Sequence, residues 1–397
     1  MENQTTPAEE NTFMKTRPVF SLLVSMSVPM MLSMLIQSLY NIVDSIYVSR
    51  LGTDALTAVS LAYPLQNAIV SVGVGIGVGI SASISIHLGA GDQEKADRAA
   101  ALGVALTVFH CILFILAGVF ITRPFLSLFT EDAAVLRDAC DYTYIVLCLS
   151  FGALLQIAME KIFQSVGQMK VTMYLLIAGC VINIILDPIL IFGLLGFPAM
   201  GVAGAAIATV IGQICAFLLY IIVYFRRPLA VRIRLRDLKF DGKLIREIYS
   251  VGIPSSIMML MPSFLISILN RILAGFSSVY VAVLGLLIPG PIFALFQADA
   301  ELLDAGITAL RIICLGFLVS SVGVIASGTF EALGNGRNSL IISLLRQFIV
   351  TIPLSFILSH FMGPAGVWIS FPAGEVCAAV VAWFFLKTYK KGVFAPF

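Results

Sequence analysis

A series of long apolar segments is the feature that most limits how this chain can fold. Each segment has about 17 residues or more, and a helix of about 20 apolar residues spans a bilayer. Only 12% of the residues are charged, whereas soluble proteins have about a quarter. The sequence therefore predicts an all-α polytopic membrane protein. The eleven segments are 22–49, 57–87, 101–121, 143–159, 171–195, 200–225, 248–275, 279–296, 306–330, 339–361 and 364–386.

The distribution of basic residues predicts how these segments cross the membrane. Lys and Arg in short loops favour the cytoplasmic side. If the N-terminus is cytoplasmic, the basic loops that hold Lys95 and Lys161 also lie inside, and six spans are complete by residue 225. The segment 226–247, with eight Lys and Arg residues, is then a cytoplasmic linker between two halves. We interpret it as an ordinary loop, and we expect no nucleic-acid partner.

The two halves are related by an internal repeat, which is common in transporters. SVPMMLSML at 27–35 resembles SVGIPSSIMML at 250–260, an offset of about 225 residues. LFTEDAAVL at 128–136 matches LFQADAELL at 295–303, but the offset is now 167. The second half thus lacks about 57 residues, the counterpart of roughly 62–120. We expect two pseudo-symmetric helical bundles, the second one shortened.

The shortening changes the prediction for the segment 279–296. It joins the start of one lost helix to the end of another, so we expect a re-entrant or interfacial piece, and Pro289 and Pro291 agree with a broken helix. With this segment not spanning, the basic C-terminus is cytoplasmic as well. We predict about ten transmembrane helices, no cleavable signal peptide, and the following divisions: 1–20 N-terminal tail, 21–225 first bundle, 226–247 linker, 248–387 second bundle and 388–397 C-terminal tail.

Two carboxylates lie within the apolar segments of the first half. Ionisable groups at membrane depth are costly and mark functional sites. Asp44 follows Gln37 and Asn41 at helical spacing, so these three side chains share one helix face. Asp187 follows Asn183 by four residues in the same way. We predict that Asp44, Asn183 and Asp187 form a cation site, and no other cofactor.

Several alternatives stay open at this stage. The oxygen set suits Na⁺, but it can equally hold a proton, because low dielectric favours the neutral form of a carboxyl. Asp44 can instead pair with Arg50 near the outer interface, and Asn183 can serve only to join helices. Further substrate-binding or supporting candidates are Gln37, Tyr40, Asn41, Thr209 and Arg346.

Four charged residues and the cysteines receive weaker interpretations. Arg346 lies well inside an apolar segment, so it needs a partner, for which Glu375 is the candidate. Glu160 and Lys161 stand at a helix end, and we interpret them as an interfacial ion pair. The cysteines show no metal-ligand spacing and are expected to be small buried residues.

Several long motifs occur in the order typical of one transporter family, and together they cover about 20–390. The chain resembles the multidrug and toxic compound extrusion (MATE) family in these segments: SVPMMLSMLIQSLYNIVDSIYVSRLG, GAGDQEKADRAA, FQSVGQMKVTMYLL, NIILDPILIFG, MGVAGAAIATVIGQ and EALGNGRNSLIISLLRQ. The resemblance implies two six-helix bundles around a cleft, exchange of Na⁺ or H⁺ for cationic amphipathic drugs, and a cation site at Asp44, Asn183 and Asp187. A typical member has twelve spans, and most of the eighth and ninth are missing here.

These observations lead to one expected function and three alternatives. We expect a cation-coupled multidrug antiporter, monomeric and lipid-embedded, in the plasma membrane, which in a bacterium is the inner membrane. A lipid-linked saccharide flippase is disfavoured because Arg346 is the one deep basic residue, and an inactive truncated paralogue is the third possibility. An intramembrane enzyme is disfavoured because the GAGD motif at 89–92 lies in a charged loop and HExxH is absent.

Overall fold

The computed structural model describes residues 18–227, 229–234, 240–274 and 300–393. Helices dominate that part of the chain, and it contains no β-strand. In chain order the helices are α1 Val19–Ser49, α2 Thr53–Gly89, α3 Gln93–Leu126, α4 Ala133–Cys148, α5 Phe151–Ser165, α6 Met169–Phe192, α7 Gly201–Arg226, α8 Gly242–Ala274, α9 Ala300–Ala332, α10 Gly336–Leu344, α11 Thr351–Met362 and α12 Pro364–Val393. A π-helical turn, Leu345–Ile349, connects α10 to α11.

Eight helices or helix pairs in the described part are long and apolar enough to cross a bilayer, and two bent pairs raise the number to ten. The first bent pair is α4 and α5, which meet at 45°. The second lies within α9, where Arg311–Phe317 and Val319–Ala332 meet at 42°. The prediction of an all-α polytopic membrane protein is confirmed. The predicted re-entrant segment 279–296 lies outside the described residues.

Local sequence signals set several helix ends. Asp92 precedes α3 and accepts a hydrogen bond from the Lys95 backbone N–H at 3.1 Å, and Asp132 caps α4 by accepting from the backbone N–H groups of Ala134 and Val135. Such caps satisfy backbone donors that a helix start leaves free. Gly193 ends α6 with φ of 73°, and a Cβ there would lie 2.6 Å from the Ala199 nitrogen. A side chain does not fit at that turn.

Packing divides the chain into two compact units, with the division between Gly252 and Ile253 inside α8. The first unit contains α1 to α7 and the start of α8. Its helices pack closely because small residues face each other: a Cβ on Gly204 would lie 2.6 Å from the Leu190 carbonyl oxygen. The largest core of this unit includes Ile80, Ile84, Phe163, Tyr220 and Ile248.

The second unit contains the rest of α8 and α9 to α12. One core joins α8, α9 and α12 through Leu269, Ala309 and Trp368. Another joins α9, α10 and α12 through Phe330, Ile342 and Ala382. The predicted divisions of the chain remain predictions, because their boundaries depend on membrane topology.

Candidate cation site

Helix α6 carries a polar pair on an otherwise apolar sequence. Asn183 and Asp187 are 3% and 0% exposed, and the Asn183 Nδ2 donates to the Asp187 Oδ1 at 3.3 Å. Their spacing of four residues places them one turn apart on the same helix face. Pro188 lies within the helix beside them, and a proline leaves a carbonyl one turn back without its helical partner.

Helix α7 adds a hydroxyl to this pair. The Thr209 Oγ1 accepts a hydrogen bond from the Asn183 Nδ2 at 3.4 Å, and both groups are buried. Two glycines allow the contact. A Cβ on Gly212 would lie 2.9 Å from the Gly179 carbonyl oxygen and 3.1 Å from the Asn183 Cβ, so the backbones of α6 and α7 meet at this point. Small residues allow this close approach between membrane helices.

Helix α1 completes the cluster from the other side. Asp44 and Asp187 are close enough to interact electrostatically. One turn earlier, Tyr40 interacts with both carboxylates and with the Thr209 hydroxyl. Three helices that are far apart in sequence thus bring two acids, an amide and two hydroxyls together. The two acids repel each other when both are ionised, so the cluster favours an arriving positive charge.

Three buried oxygens in this cluster accept no hydrogen bond from the described residues. They are the Asp44 Oδ1, the Asn183 Oδ1 and the Asp187 Oδ2. An unsatisfied buried polar atom costs roughly 1–3 kcal/mol, and more when it is charged. Oxygen atoms of this kind are the ligands that hard cations take, and a proton on either carboxyl would supply a donor. The residues present therefore fit a small cation or a proton.

A small cavity adjoins the cluster. Its volume is about 70 Å³, enough for water because a water molecule needs only about 10–15 Å³ by the same measure. Its walls include Asn183 and Tyr40 from the cluster. Three glutamines add polar groups to the cavity: Gln37, Gln156 and Gln213. Polar walls of this kind can keep a hydrated ion beside the carboxylates.

The predicted site residues do not all meet. The structure brings Asp44, Asn183, Asp187, Tyr40 and Thr209 together, and Gln37 lines the adjoining cavity. Asn41 is exposed. The alternative pairing of Asp44 with Arg50 is not among the ion pairs of the described residues, and the Arg50 guanidinium lies 6.0 Å from the centre of the Tyr47 ring.

Arg346 belongs to the second unit. Its Nε lies 3.8 Å from the Glu375 Oε1, which is the partner expected for a basic residue at this depth. Arg346 sits in the π-helical turn, and the Thr351 hydroxyl donates to its backbone oxygen at 2.5 Å. Arg346 is therefore accounted for within its own unit.

The interpretation of Glu160 needs a correction. The Glu160 carboxylate accepts from the Gln164 Nε2 at 2.7 Å, and the Lys161 Nζ donates to the Gln164 Oε1 at 3.0 Å. A glutamine thus bridges the two charged groups, which stand at adjacent positions and leave the helix in different directions.

Sequence reasoning missed several polar residues of the first unit. Gln156 and Gln213 are amides inside apolar segments, so the rule that singled out Asn41 could have found them. Tyr142 interacts with Asp44 and donates to the Gln66 Oε1 at 3.2 Å. No signal in the sequence pointed to Tyr142, because its role depends on how α4 packs against α2.

Comparison with known proteins gives consistent matches. The MatE family model matches residues 29–189 and 269–357. The multidrug export protein MepA of Staphylococcus aureus is 24% identical over 429 aligned positions, and that of Staphylococcus saprophyticus is 25% identical; each alignment covers 93% of this chain and 94% of the relative. An outward-facing multidrug resistance MATE family transporter of the MOP superfamily has a TM-score of 0.88 and 24% identity, covering 98% of this chain and 99% of that one.

The two matched ranges differ in length. The family model covers 161 residues in the first match and 89 in the second. The alignment to MepA extends over 429 positions but uses 93% of a 397-residue chain. About 60 positions of that alignment therefore have no residue here, close to the 57 inferred from the repeat offsets.

Proposed function

The chain belongs to the MATE family of efflux transporters, and we propose that it exports cationic, amphipathic drugs in exchange for Na⁺ or H⁺. The observation that carries this proposal is the buried cluster of Asp44, Asn183 and Asp187, with three oxygens that lack a donor. The names of the relatives support drugs as the transported substrates, because MepA is a multidrug export protein.

The proposed coupling of cation binding to drug export depends on the charge of the two buried carboxylates. With both carboxylates ionised, the cluster holds two negative charges that repel each other in a buried setting. A bound cation or proton removes that repulsion and draws α1 towards α6. A ligand shifts a conformational equilibrium only by its difference in affinity between the two states. Cation binding then favours one conformation of the exporter, and drug binding favours the other.

The residues divide this work between them. Asp44 and Asp187 supply the charge that attracts the ion. The Asn183 amide donates to Asp187 and to Thr209, which leaves its carbonyl oxygen free to face an ion. Tyr40, which interacts with both acids, lies between the cluster and the cavity and can donate to whichever carboxylate is ionised.

The proposal includes an orientation and a setting. Basic residues concentrate in 226–247 and near the C-terminus, and this asymmetry favours cytoplasmic termini. We place the protein as a monomer in the plasma membrane, the inner membrane if the source is a bacterium. Its small-molecule substrates are hydrophobic cations that can partition into lipid.

The decisive experiment replaces one carboxylate. Asp187→Asn keeps the shape of the side chain but removes its charge, so we expect drug efflux driven by an imposed Na⁺ or pH gradient to fall to background. Proteoliposomes with each gradient applied separately identify the ion. Efflux by the variant at the wild-type rate would rule out the site.

Asp54→Asn is the matched control. Asp54 is exposed in the first turn of α2, so the same chemical change there leaves the cluster intact. We expect this variant to transport at the wild-type rate. A loss of efflux in both variants would point to a general effect of charge and would contradict the specific role of Asp187.

A further inference from the structure

A second cavity lies in the first unit, and its walls share no residue with the polar cavity beside Asn183. Its volume is about 150 Å³, and it is lined by residues of α3, α5, α7 and the linker that follows α7. Six of the side chains that line it show its character: Val104, Ala158, Met159, Phe217, Tyr224 and Ile233. The cavity is therefore apolar and distinct from the cation site.

The one side-chain oxygen in the wall of this cavity is already engaged. The Tyr224 hydroxyl accepts a hydrogen bond from the Ile233 backbone N–H at 2.7 Å. Among the described residues, no other side-chain oxygen or nitrogen lines the cavity, so a polar molecule would lose its hydration with little compensation from the wall. Dry apolar cavities of about 150 Å³ bind small hydrocarbon groups. The composition of the cavity wall therefore favours an apolar ligand.

The linker is fixed at the edge of this cavity. The Gln93 Nε2 donates to the Ala230 carbonyl oxygen at 2.7 Å, and the Asp97 Oδ1 accepts from the Arg232 backbone N–H at 2.9 Å. Val231 is 1% exposed. These contacts hold the segment 229–234 against the start of α3.

Exposure alternates along the fixed segment. Val231 is buried and Ile233 lines the cavity, whereas Arg232 and Arg234 are exposed. Arg232 and Arg234 therefore flank Ile233 in the sequence, and their side chains are exposed while Ile233 lines the cavity. The Asp97 carboxylate contacts the backbone of Arg232, and within the described residues neither guanidinium group forms an ion pair.

Positive charge accumulates at this edge without neutralisation. Arg226 and Arg227 at the end of α7 are also exposed. Within the described residues none of these four arginines forms an ion pair. Phe225, which lines the cavity, is 80% exposed, so the cavity opens close to the surface of the unit that carries these arginines.

We propose that this cavity binds an acyl chain of an anionic membrane phospholipid, whose phosphate is held by Arg232 and Arg234. The apolar wall selects the hydrocarbon, and the four unpaired arginines select the negative headgroup. A bound lipid of this kind ties the linker to the first unit. The site lies outside the cation cluster, so this inference does not depend on the transport activity.

The test measures lipid binding to the purified full-length chain in detergent by native mass spectrometry. The probes are palmitoyl-oleoyl phosphatidylglycerol, the phosphatidylcholine with the same chains, and glycerol phosphate as a headgroup without chains. We expect the phosphatidylglycerol to bind most tightly and glycerol phosphate to compete poorly. Equal binding of the two lipids, or competition by glycerol phosphate as strong as by the lipid, would overturn the proposal.

A double variant tests the headgroup contact. Arg232→Gln with Arg234→Gln should weaken phosphatidylglycerol binding about 30-fold, because each Lys or Arg near an anionic surface contributes about 1 kcal/mol. Both side chains are exposed, so folding is not at risk. Arg123→Gln with Arg137→Gln is the control, since these exposed residues lie near the opposite end of α3. Unchanged affinity in the first double variant would refute the assignment.

A third variant tests the contact between the acyl chain and the cavity wall. Ala158→Leu adds apolar volume to a buried position in the cavity wall. We expect it to weaken both lipids, whereas the arginine variant weakens only the anionic one. A melting temperature measured without lipid shows whether the larger side chain is accommodated. If the variant is as stable as the wild type and both lipids bind as before, the acyl chain does not enter the cavity.

Discussion

At the scale of single residues, Thr209 is expected to position Asn183 through a hydrogen bond, a role that can be tested without changing any charge. Its hydroxyl accepts from the Asn183 amide, which keeps the amide carbonyl turned away from α7. Thr209→Val keeps the volume and removes the acceptor, so we expect cation affinity to fall about fivefold, the effect of losing about 1 kcal/mol from one hydrogen bond. Isothermal titration with Na⁺, or proton release measured as a function of pH, gives this affinity.

Thr209→Ser is the matched control for that prediction. It retains the hydroxyl and removes only a methyl group, so the affinity should return close to that of the wild type. If the valine and serine variants bind equally well, the hydroxyl does not position Asn183.

Asp92 offers a pH-dependent prediction outside the membrane spans. The hydrogen bond with the Lys95 side chain, and then that with the Lys95 backbone, hold the pKa of Asp92 below its usual value of 3.8. A lowered pKa means that the folded state prefers the carboxylate, so the stabilisation is present above the usual pKa and disappears as the pH falls through the folded value. The effect is small, because the group is exposed and screened by salt.

Asp92→Asn isolates this charge, since asparagine can still cap the helix. We expect the wild type to melt above the variant near neutral pH, and the difference to shrink as the pH falls below the usual pKa and to vanish only below the lowered pKa of the folded state. Added salt should reduce the difference as well. A difference that grows on acidification would contradict the predicted sign.

The site illustrates which residue-level features could be predicted. Asp44, Asn183 and Asp187 could be found because a carboxylate in an apolar segment is costly wherever the helix packs. The contact between Asn183 and Thr209 could not, because it depends on the register of α6 against α7. Asn41 stays a prediction: helical spacing places it on the face of Asp44, and its side chain is exposed.

At the scale of helices, the approach of α6 to α7 determines the geometry of the cluster. Gly212→Ala would place a Cβ 2.9 Å from the Gly179 carbonyl oxygen, and backbone cannot yield as a side chain can. We expect the helices to separate, with a loss of about 1–3 kcal/mol typical of overpacking and a weaker cation site. Melting temperature and cation affinity should fall together.

Gly328→Ala is the matched control for that change. Gly328 lies within α9, and a Cβ there would meet nothing within 4 Å. An alanine in an open helical position stabilises by about 0.5–1 kcal/mol relative to glycine. If both variants behave alike, the effect at position 212 is one of helix propensity and not of packing.

The break between α4 and α5 shows the limit of prediction at this scale. The apolar segment 143–159 predicts one span, and the structure has two helices that meet at 45°. The start of α4 was hidden because Arg137, Asp138 and Asp141 interrupt its apolar residues, although Asp132 is a recognisable cap. Apolar length predicts that a span exists, while its ends and bends depend on caps and on neighbouring helices.

At the scale of the whole molecule, the repeat is unequal in length and in chemistry. The first unit contains the paired acids, whereas the counterpart of the first span in the second half, LMPSFLISILN at 260–270, contains no carboxylate. The internal offsets predict the inequality in length, because a deletion shifts the offset between all repeated segments that follow it. The junction at 279–296 has no counterpart in the first half, so the repeat itself does not predict its conformation.

The inequality leads to a prediction that separates cation binding from drug export. The cluster draws all its residues from α1, α6 and α7, so its affinity should not depend on the length of the second half, as is usual for sites that share no partners. Grafting the missing positions of a full-length relative between residues 286 and 291 should therefore raise drug efflux in proteoliposomes and leave cation affinity unchanged. A grafted chain that gains efflux only together with a tighter cation site would show that the second half shapes the cluster. A graft that binds the cation and gains no efflux would show that the shortened half is not what limits transport.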